Sequence, residues 1–524
     1  MDAKRIREFN VTGTCVPNKH YMVDISNKLE QIKAMIDKEL YFTINRGRQY
    51  GKTTTLSALR RFLADDYTVI LLSFEGMGVE SFINEETFCQ TLLNKISHAL
   101  RFSSASKDYR HEWLNPAVKN INSLNDHITD MCEDKKLVLM IDEVDKISNN
   151  RVFLDFLSML RAKYLARQDE MDFTFHSVIL AGVYDIRNIK LKLIQESLHT
   201  ATGINNSPWN VASDFDVNLS FSVVEIETML QEYENDHKTG MNMTEIAEEI
   251  YDFTNGYPVL VSRICKLIDE KLEKTWKVQG VRDAVKLLLK DNSPLFESLF
   301  KNLESNPDLS DLVYSILMRG ERWTFTFASS AISLGVRYGY LKDVEGRVKI
   351  ANKIFEMIIA NYFIHKEQLE ELKSNFAPTG LYTNIIENNR FNMQRCLEKF
   401  AQYYHQYYSE KDSKFLERES RFIFLFFLSP ILNGCGFAHI ESQFTDERRM
   451  DVVVNYQDQQ FIVELKVWGG NELHKKAYDQ LLGYMEKMSL NEGYLLTFDF
   501  RKNREQKQEW VEIKDTRKVF DVMV

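Results

Sequence analysis

Proline and glycine are scarce in this 524-residue chain, at 8 and 21 residues. That excludes a collagen-like or low-complexity protein and leaves little material for long flexible linkers. Cysteine is scarcer still, with six residues: Cys15, Cys89, Cys132, Cys265, Cys396 and Cys435. None stands in a CxxC or Cys/His ligand spacing, so neither a disulfide framework nor a zinc site is expected. The longest apolar run, FIFLFFLSPIL from Phe422, is far short of a membrane span and reads as a buried helix. The opening MDAKRIREFN lacks the apolar stretch of a signal peptide. The expectation is a cytoplasmic chain with no membrane partner. An excess of basic charge is missing too: 66 Lys and Arg face 76 Asp and Glu, for a net charge of −10. A whole-chain footprint for nucleic acid is thereby excluded, and any such contact must be local. The 11 histidines show no ligand spacing, and no Ser/His/Asp set is present.

What is present is apolar material, 44% of the residues with 12% aromatic. That suffices for several cores, and the length predicts three or four domains. Between about residues 40 and 215, short apolar runs at Tyr41, Thr68, Leu137 and His176 alternate with helical patterns. Such strands fit a parallel sheet covered on both faces. Ser222 and Glu225 form a capping-box signature, opening a helical stretch that includes a Gly-Pro turn at 256–258. From about 308 to 365 come two helical stretches and a hairpin turning at Glu345-Gly346, the order of a winged helix. A polar, Asn-rich stretch near Ser374–Asn392 marks a boundary, beyond which a second α/β pattern begins.

Two pieces of the first pattern carry chemistry. TINRGRQYGKTTT, Thr43 to Thr55, lies between a strand and a helix, and Gly51-Lys52-Thr53 matches the end of a Walker A loop. Backbone N–H groups from Gly47, Arg48, Gln49, Tyr50, Gly51 and Thr54 can cradle phosphates there. Lys52 can reach the β/γ-phosphates, and the Thr53 hydroxyl can ligate Mg²⁺. The first glycine of the usual pattern falls at Arg46, with Gly47 one step late. Downstream, KLVLMIDEVDKI is an apolar strand ending in Asp142-Glu143, as a Walker B strand does. Asp142 suits the metal and Glu143 the polarisation of the attacking water. ATP and Mg²⁺ are the cofactors expected.

With these motifs the chain resembles AAA-like ATPases of the STAND neighbourhood, over about Phe9 to Phe363. In that family a loop with R-Q-x-G-K-[ST] recurs, so Arg46 fits the family pattern. The resemblance implies that Tyr21 lies near the adenine and that Pro258, in a lid turn, approaches the nucleotide. It implies a sensor strand at VILAGVYDI, where Tyr184 or Asp185 would serve, and assigns no arginine finger, for which Arg187 and Arg263 are only guesses. Arg319, Arg322, Arg337 and Lys342 could face DNA, although such modules more often pack internally.

In the second pattern, MDVVVNYQDQQFIVELKVW puts Asp451 at the start of one β-run and Glu464-Leu465-Lys466 within the next. Alternation gives Glu464 and Lys466 one face, and Asp451 can join them from the neighbouring strand. Two converging carboxylates can hold Mg²⁺, while the lysine assists a nucleophilic water. Upstream, Glu419 stands on an apolar helix; downstream, Gln480 and Tyr484 are four residues apart on a helix. This order resembles the PD-(D/E)xK superfamily over about Asn392 to Phe500, with Met450 in place of the proline. The resemblance implies catalytic roles for Asp451, Glu464, Lys466, Glu419 and Gln480. Arg501 to Arg504, beyond the last motif strand, read as a solvated charge run.

The fold class expected is α/β: a P-loop NTPase parallel sheet with a helical lid and winged helix, followed by a PD-(D/E)xK α/β domain. The boundaries expected are 1–215 for the ATPase core, 216–305 for the lid and 306–370 for the winged-helix-like domain. A linker at 371–391 and a nuclease-like domain at 392–524 complete the division. The function expected is an ATPase controlling a metal-dependent endonuclease, with defence against foreign DNA as its analogy. Nucleic acid is the expected partner, DNA before RNA, and a homo-oligomer is left open. The competing function is a signalling or scaffold ATPase whose second domain only binds nucleic acid or protein.

Overall fold

Four runs rich in aliphatic and β-branched residues build the first sheet. They are β1 (Phe42–Asn45), β2 (Thr68–Ser73), β3 (Leu137–Asp142) and β4 (Ser177–Gly182). All are parallel, in the order β1-β4-β3-β2. Every residue of β3 and β4 is buried, which is why these runs are apolar throughout rather than alternating. A single parallel bridge from Phe42 to Ser213 extends the sheet beyond β1. One face carries Ile32, Ile36, Leu56 and Leu59 from the helices Ser26–Asp37 and Lys52–Phe62. The other carries Phe88, Leu92, Phe153, Phe156 and Leu160 from the helices Glu85–Ala99 and Arg151–Gln168.

The computed structural model describes residues 7–103, 105–144, 150–183, 209, 211–373, 384–408, 413–432, 435–441, 451–501, 507–513 and 517–524. They form two compact units, one comprising Met1–Ala247, Gly256–Arg263 and Arg337–Gly339, the other Glu248–Asn255, Ile264–Val336 and Tyr340–Val524. In the first unit, the helix Val223–His237 starts on the expected capping box. Ser222 Oγ accepts from the Glu225 N–H, and Glu225 Oε2 accepts from the Ser222 N–H at 2.7 Å.

The second unit opens with helices, including Val278–Leu288, Pro294–Ser305 and Pro307–Met318. The hairpin of β5 (Leu341–Val344) and β6 (Arg347–Ile350) follows. Its turn residues Glu345 and Gly346 both have positive φ, as a tight two-residue hairpin demands. Within the stretch read as a linker, β7 (Ile386–Glu387) and β8 (Arg390–Phe391) pair through Asn388 and Asn389, again at positive φ. Asparagine tolerates that conformation, so the polar composition here encodes a turn.

The second sheet contains β9 (Gly436–Glu441), β10 (Asp451–Tyr456), β11 (Gln459–Val467), β12 (Glu492–Phe498), β13 (Lys507–Glu512) and β14 (Lys518–Met523). Their order is β13-β14-β12-β11-β10-β9. The pairs β11–β12 and β12–β14 are parallel; the others are antiparallel. The helix Asn471–Lys487 lays Ala477, Leu481 and Met485 on a face formed by Val453, Ile462, Leu495 and Val519. The apolar run at Phe422 is the buried part of the helix Ser413–Leu432. Among the described residues no helix is long and apolar enough to cross a membrane.

Candidate nucleotide and metal sites

The loop after β1 ends on Gly51, at φ 82°, where the helix Lys52–Phe62 begins. A left-handed residue at that position suits glycine, and it turns the chain sharply into the helix. Lys52 is 7% exposed. Its Nζ donates to the carbonyls of Arg46 at 2.8 Å and Gly47 at 2.9 Å. Thr53 Oγ1 donates to Asp142 Oδ2 at 2.5 Å, joining the two motifs across 89 residues. Asp142 Oδ1 accepts the Glu143 N–H at 2.9 Å. Glu143 itself sits at φ 58°, a costly conformation for a residue with a side chain. A hydroxyl and a carboxylate held together beside an ammonium are the donor set that a Mg–nucleotide requires.

Departures from the usual loop pattern have local causes. Arg46 ties β1 to a later segment, donating to the carbonyls of Asn45 at 3.0 Å and Val217 at 3.2 Å, and burial lowers its pKa. A Cβ on Gly47 would lie 2.4 Å from the Tyr338 carbonyl oxygen, so glycine is required by that approach. The Arg48 carbonyl accepts from the Tyr257 hydroxyl at 2.6 Å. Tyr50 meets Tyr257 edge-on at 4.6 Å and shares a 2.5 Å hydrogen bond with Ser220. Pro258 lies 3.8 Å from where a Gly51 Cβ would be, and Thr54 Oγ1 accepts the Cys15 N–H at 3.2 Å. Gln49, like Gly51, has positive φ. Tyr21 is buried among Phe9 and Tyr233, with its hydroxyl 3.0 Å from His237 Nε2. Arg263 lies on the helix Pro258–Lys271, whereas Tyr184, Asp185 and Arg187 fall outside the described residues.

In the second unit, Glu464 on β11 is completely buried, and Lys466 Nζ lies 2.7 Å from its Oε1. Glu464 shares its sheet face with Ile462, under the helix Asn471–Lys487. Asp451 opens β10 one residue before the Val452–Val463 pair, so the antiparallel register sets it level with Glu464. Its side chain is outside the described atoms. Among the described residues no group of three or more His, Cys, Asp and Glu side chains is placed to hold a metal ion. Among the described residues Gln480 Oε1 is buried with no hydrogen-bond partner. Tyr484 packs on the cluster under that helix.

Glu419 is buried in the same unit. It accepts from Arg319 Nε at 2.7 Å and from the Tyr314 hydroxyl at 3.1 Å. Burial, and then the Glu419 charge, push the Tyr314 phenol well up. Two groups escaped the sequence reading. Asp521 on β14 is fully buried and binds His474 Nε2 at 3.0 Å, the Tyr478 hydroxyl at 2.6 Å and Lys507 Nζ at 3.0 Å. Asp499, after β12, binds Arg501 Nη2 at 2.6 Å, and the Arg501 guanidinium lies over Trp468 at 4.6 Å. The only signal for Asp521 is a carboxylate inside the apolar run VFDVMV.

Known proteins match two stretches of the chain. The model of the AAA-like domain matches residues 17–324, and that of the PD-(D/E)XK nuclease superfamily matches residues 437–510. An uncharacterized WD repeat-containing protein of Synechocystis is 22% identical over 252 residues, which are 45% of this chain and 20% of that protein. The chain therefore spans about a fifth of that relative's length. A Walker-type ATPase of Pyrococcus abyssi aligns with TM-score 0.47 at 14% identity, covering 67% of this chain and 99% of that one. The ORC2 protein of Aeropyrum pernix gives TM-score 0.36 at 12% identity, covering 70% and 99% respectively. The chain belongs to the AAA-like domain family and carries, after that P-loop α/β domain, a second α/β domain of the PD-(D/E)XK nuclease superfamily.

Proposed function

We propose that the chain binds and hydrolyses ATP in its AAA-like domain and thereby controls metal-dependent cleavage of nucleic acid by its PD-(D/E)XK domain. The observation that carries the first half is the direct Thr53–Asp142 hydrogen bond, which joins the two motif ends at one point. Lys52 exchanges its loop carbonyls for the β/γ-phosphates, Thr53 and Asp142 hold Mg²⁺, and Glu143 orients the attacking water. The second half is supported by the buried Glu464 with Lys466 beside it. Burying a carboxylate without use or compensation is costly, and Lys466 compensates it here. Asp451 and Glu464 would hold the ion, and the Lys466 ammonium would donate to a phosphate oxygen. A divalent ion bound there supplies Lewis-acid activation of that water.

The proposal keeps the domain limits 1–215, 216–305, 306–370 and 392–524, with the hairpin segment as a winged-helix-like module between the two activities. A cytoplasmic location, DNA before RNA as substrate, and a role in defence against foreign DNA belong to the same proposal. The test is incubation of the full chain with single- and double-stranded DNA and RNA, with Mg²⁺ or Mn²⁺ and with or without ATP. Cleavage by the wild type that is lost in Asp451→Asn and Glu464→Gln supports the reading. Cleavage unaffected by both variants refutes the site, and no cleavage under any condition leaves the scaffold reading in its place.

A further inference from the structure

The ends of β11 and β12 carry more than the Glu464–Lys466 pair. Trp468 follows β11 immediately, and its N–H donates to the Phe498 carbonyl at 2.8 Å, which anchors it to the end of β12. Asp499 is next on that neighbouring strand, fully buried in its side chain, and its own N–H donates to the Val524 carbonyl. It grips Arg501 through Nε at 2.9 Å and Nη2 at 2.6 Å, fixing the guanidinium plane over the Trp468 ring. His474 lies 5.3 Å from the same indole, held by the buried Asp521. His474, Trp468 and Arg501 thus form a group of three planar side chains, two of them fixed by buried carboxylates. The Arg501 side chain remains 52% exposed. Trp468 lies two residues beyond Lys466, roughly 7 Å along an extended strand.

We infer that the Trp468–Arg501 stack is a platform for an unpaired base of a single-stranded nucleic acid, seated beside the Glu464–Lys466 site. The inference rests on the nuclease reading for its substrate class, and it adds that the strand must expose a base. Bases stack on aromatic rings and on guanidinium planes, and a duplex interior offers no free base face to a surface platform. Two features select stacking over simple phosphate attraction. Asp499 offsets the charge of Arg501, whose side chain stays half exposed, and buried carboxylates, costly to keep, fix the geometry in advance. A platform meant only for phosphate would need no indole beneath the arginine.

The experiment uses the full chain in EDTA, where metal-dependent cleavage is silent, with fluorescent single-stranded and duplex DNA followed by anisotropy. Trp468→Ala is expected to weaken single-strand binding about 5- to 150-fold, the loss of one stacked base, while duplex affinity stays at the wild-type value. Trp468→Phe is expected to retain most of the affinity. Arg501→Lys, which keeps the charge and loses the plane, should behave like Trp468→Ala. In all three the slope of log Kd against log salt should be unchanged, because no phosphate contact is lost. Should Trp468→Ala fail to fold, Trp468→Phe and Arg501→Lys decide alone. Wild-type single-strand affinity in Arg501→Lys, or an equal loss for single strand and duplex, overturns the platform. A chain that binds single strands through Trp468 but cuts nothing with Mg²⁺ sinks the nuclease reading and keeps the platform. A chain that cuts with an unchanged KM in Trp468→Ala and Arg501→Lys does the reverse.

Discussion

Replacing Lys52 by methionine removes the ammonium while keeping the length of the buried stem. That ammonium donates to two loop carbonyls, those of Arg46 at 2.8 Å and Gly47 at 2.9 Å. The same ammonium is the donor proposed for the β/γ-phosphates. Charge-assisted hydrogen bonds contribute about 1.5–3 kcal/mol each, and losing one to a phosphate weakens nucleotide binding about 10- to 150-fold. The free loop also suffers, since two carbonyls lose their donor, and the unliganded variant should melt below the wild type. Titration with a fluorescent ATP analogue measures the affinity. Thermal unfolding with and without excess ATP measures the linked stabilisation, which follows RT ln(1 + [L]/Kd). The variant should show a weaker Kd and a smaller ATP-induced shift at the same concentration. Equal affinity and an equal shift would mean that Lys52 does not face the phosphates, and the assignment of the loop would fall.

Asp172→Ala should destabilise the first unit by about 3 kcal/mol in urea unfolding, because it strips the carboxylate partner at 2.8 Å from Lys163, which is almost fully buried. Lys163→Met with Asp172→Ala should recover most of that loss, and no recovery would refute the pairing argument. Gly256→Ala should lower the melting temperature and weaken ATP binding together, since its Cβ would lie 1.9 Å from the Phe221 carbonyl oxygen at a φ of 71°, next to the turn that brings Tyr257 and Pro258 to the loop. Wild-type behaviour in both measurements would show that the turn is not constrained as described. Burial opposes the ionisation of Asp521, but hydrogen bonds from His474 and Tyr478, the His474 charge and a hydrogen bond from Lys507 hold its carboxyl below the usual range. A depressed folded-state pKa means stability present above about pH 4 and lost as pH falls through the lower native value. The stability gap between wild type and Asp521→Asn should therefore be wide at pH 7 and narrow below about pH 4 in thermal melts. A gap independent of pH would contradict it.

The parts of the fold legible in the sequence are those whose signal is local. The strands β1 to β4 announce themselves as apolar runs because both faces of their sheet are covered. Lys52, Thr53 and Asp142 stand out in the sequence because their motifs set them at a helix start and a strand end, which is where the structure has them. Glu464 and Lys466 were readable because alternation alone gives them one face. What was hidden depends on partners remote in sequence. The requirement for glycine at position 47 comes from Tyr338, and the partner of Glu419 is Arg319, 100 residues away. The strands β9, β13 and β14 mix polar with apolar residues, and the sheet register is what shows that Asp521 lies in the same row as Glu464. Asn388 and Asn389 read as linker residues, although they turn a hairpin whose Phe391 N–H is received by Gln459 at 2.8 Å. Tyr21, expected near a base, has its ring enclosed by Phe9 and Tyr233 in this structure.

Control of one domain by the other is the central claim, and nucleotide dependence of cleavage tests it most directly. The full chain and its Lys52→Met variant are compared for cleavage of single-stranded DNA in Mg²⁺, each without nucleotide, with ATP, and with a non-hydrolysable ATP analogue. Nucleotide should change the wild-type cleavage rate, the variant should cut at one rate throughout, and Asp451→Asn should cut in none of the conditions. Cleavage by the wild type at the same rate with and without nucleotide, in a preparation shown to bind ATP, would contradict it.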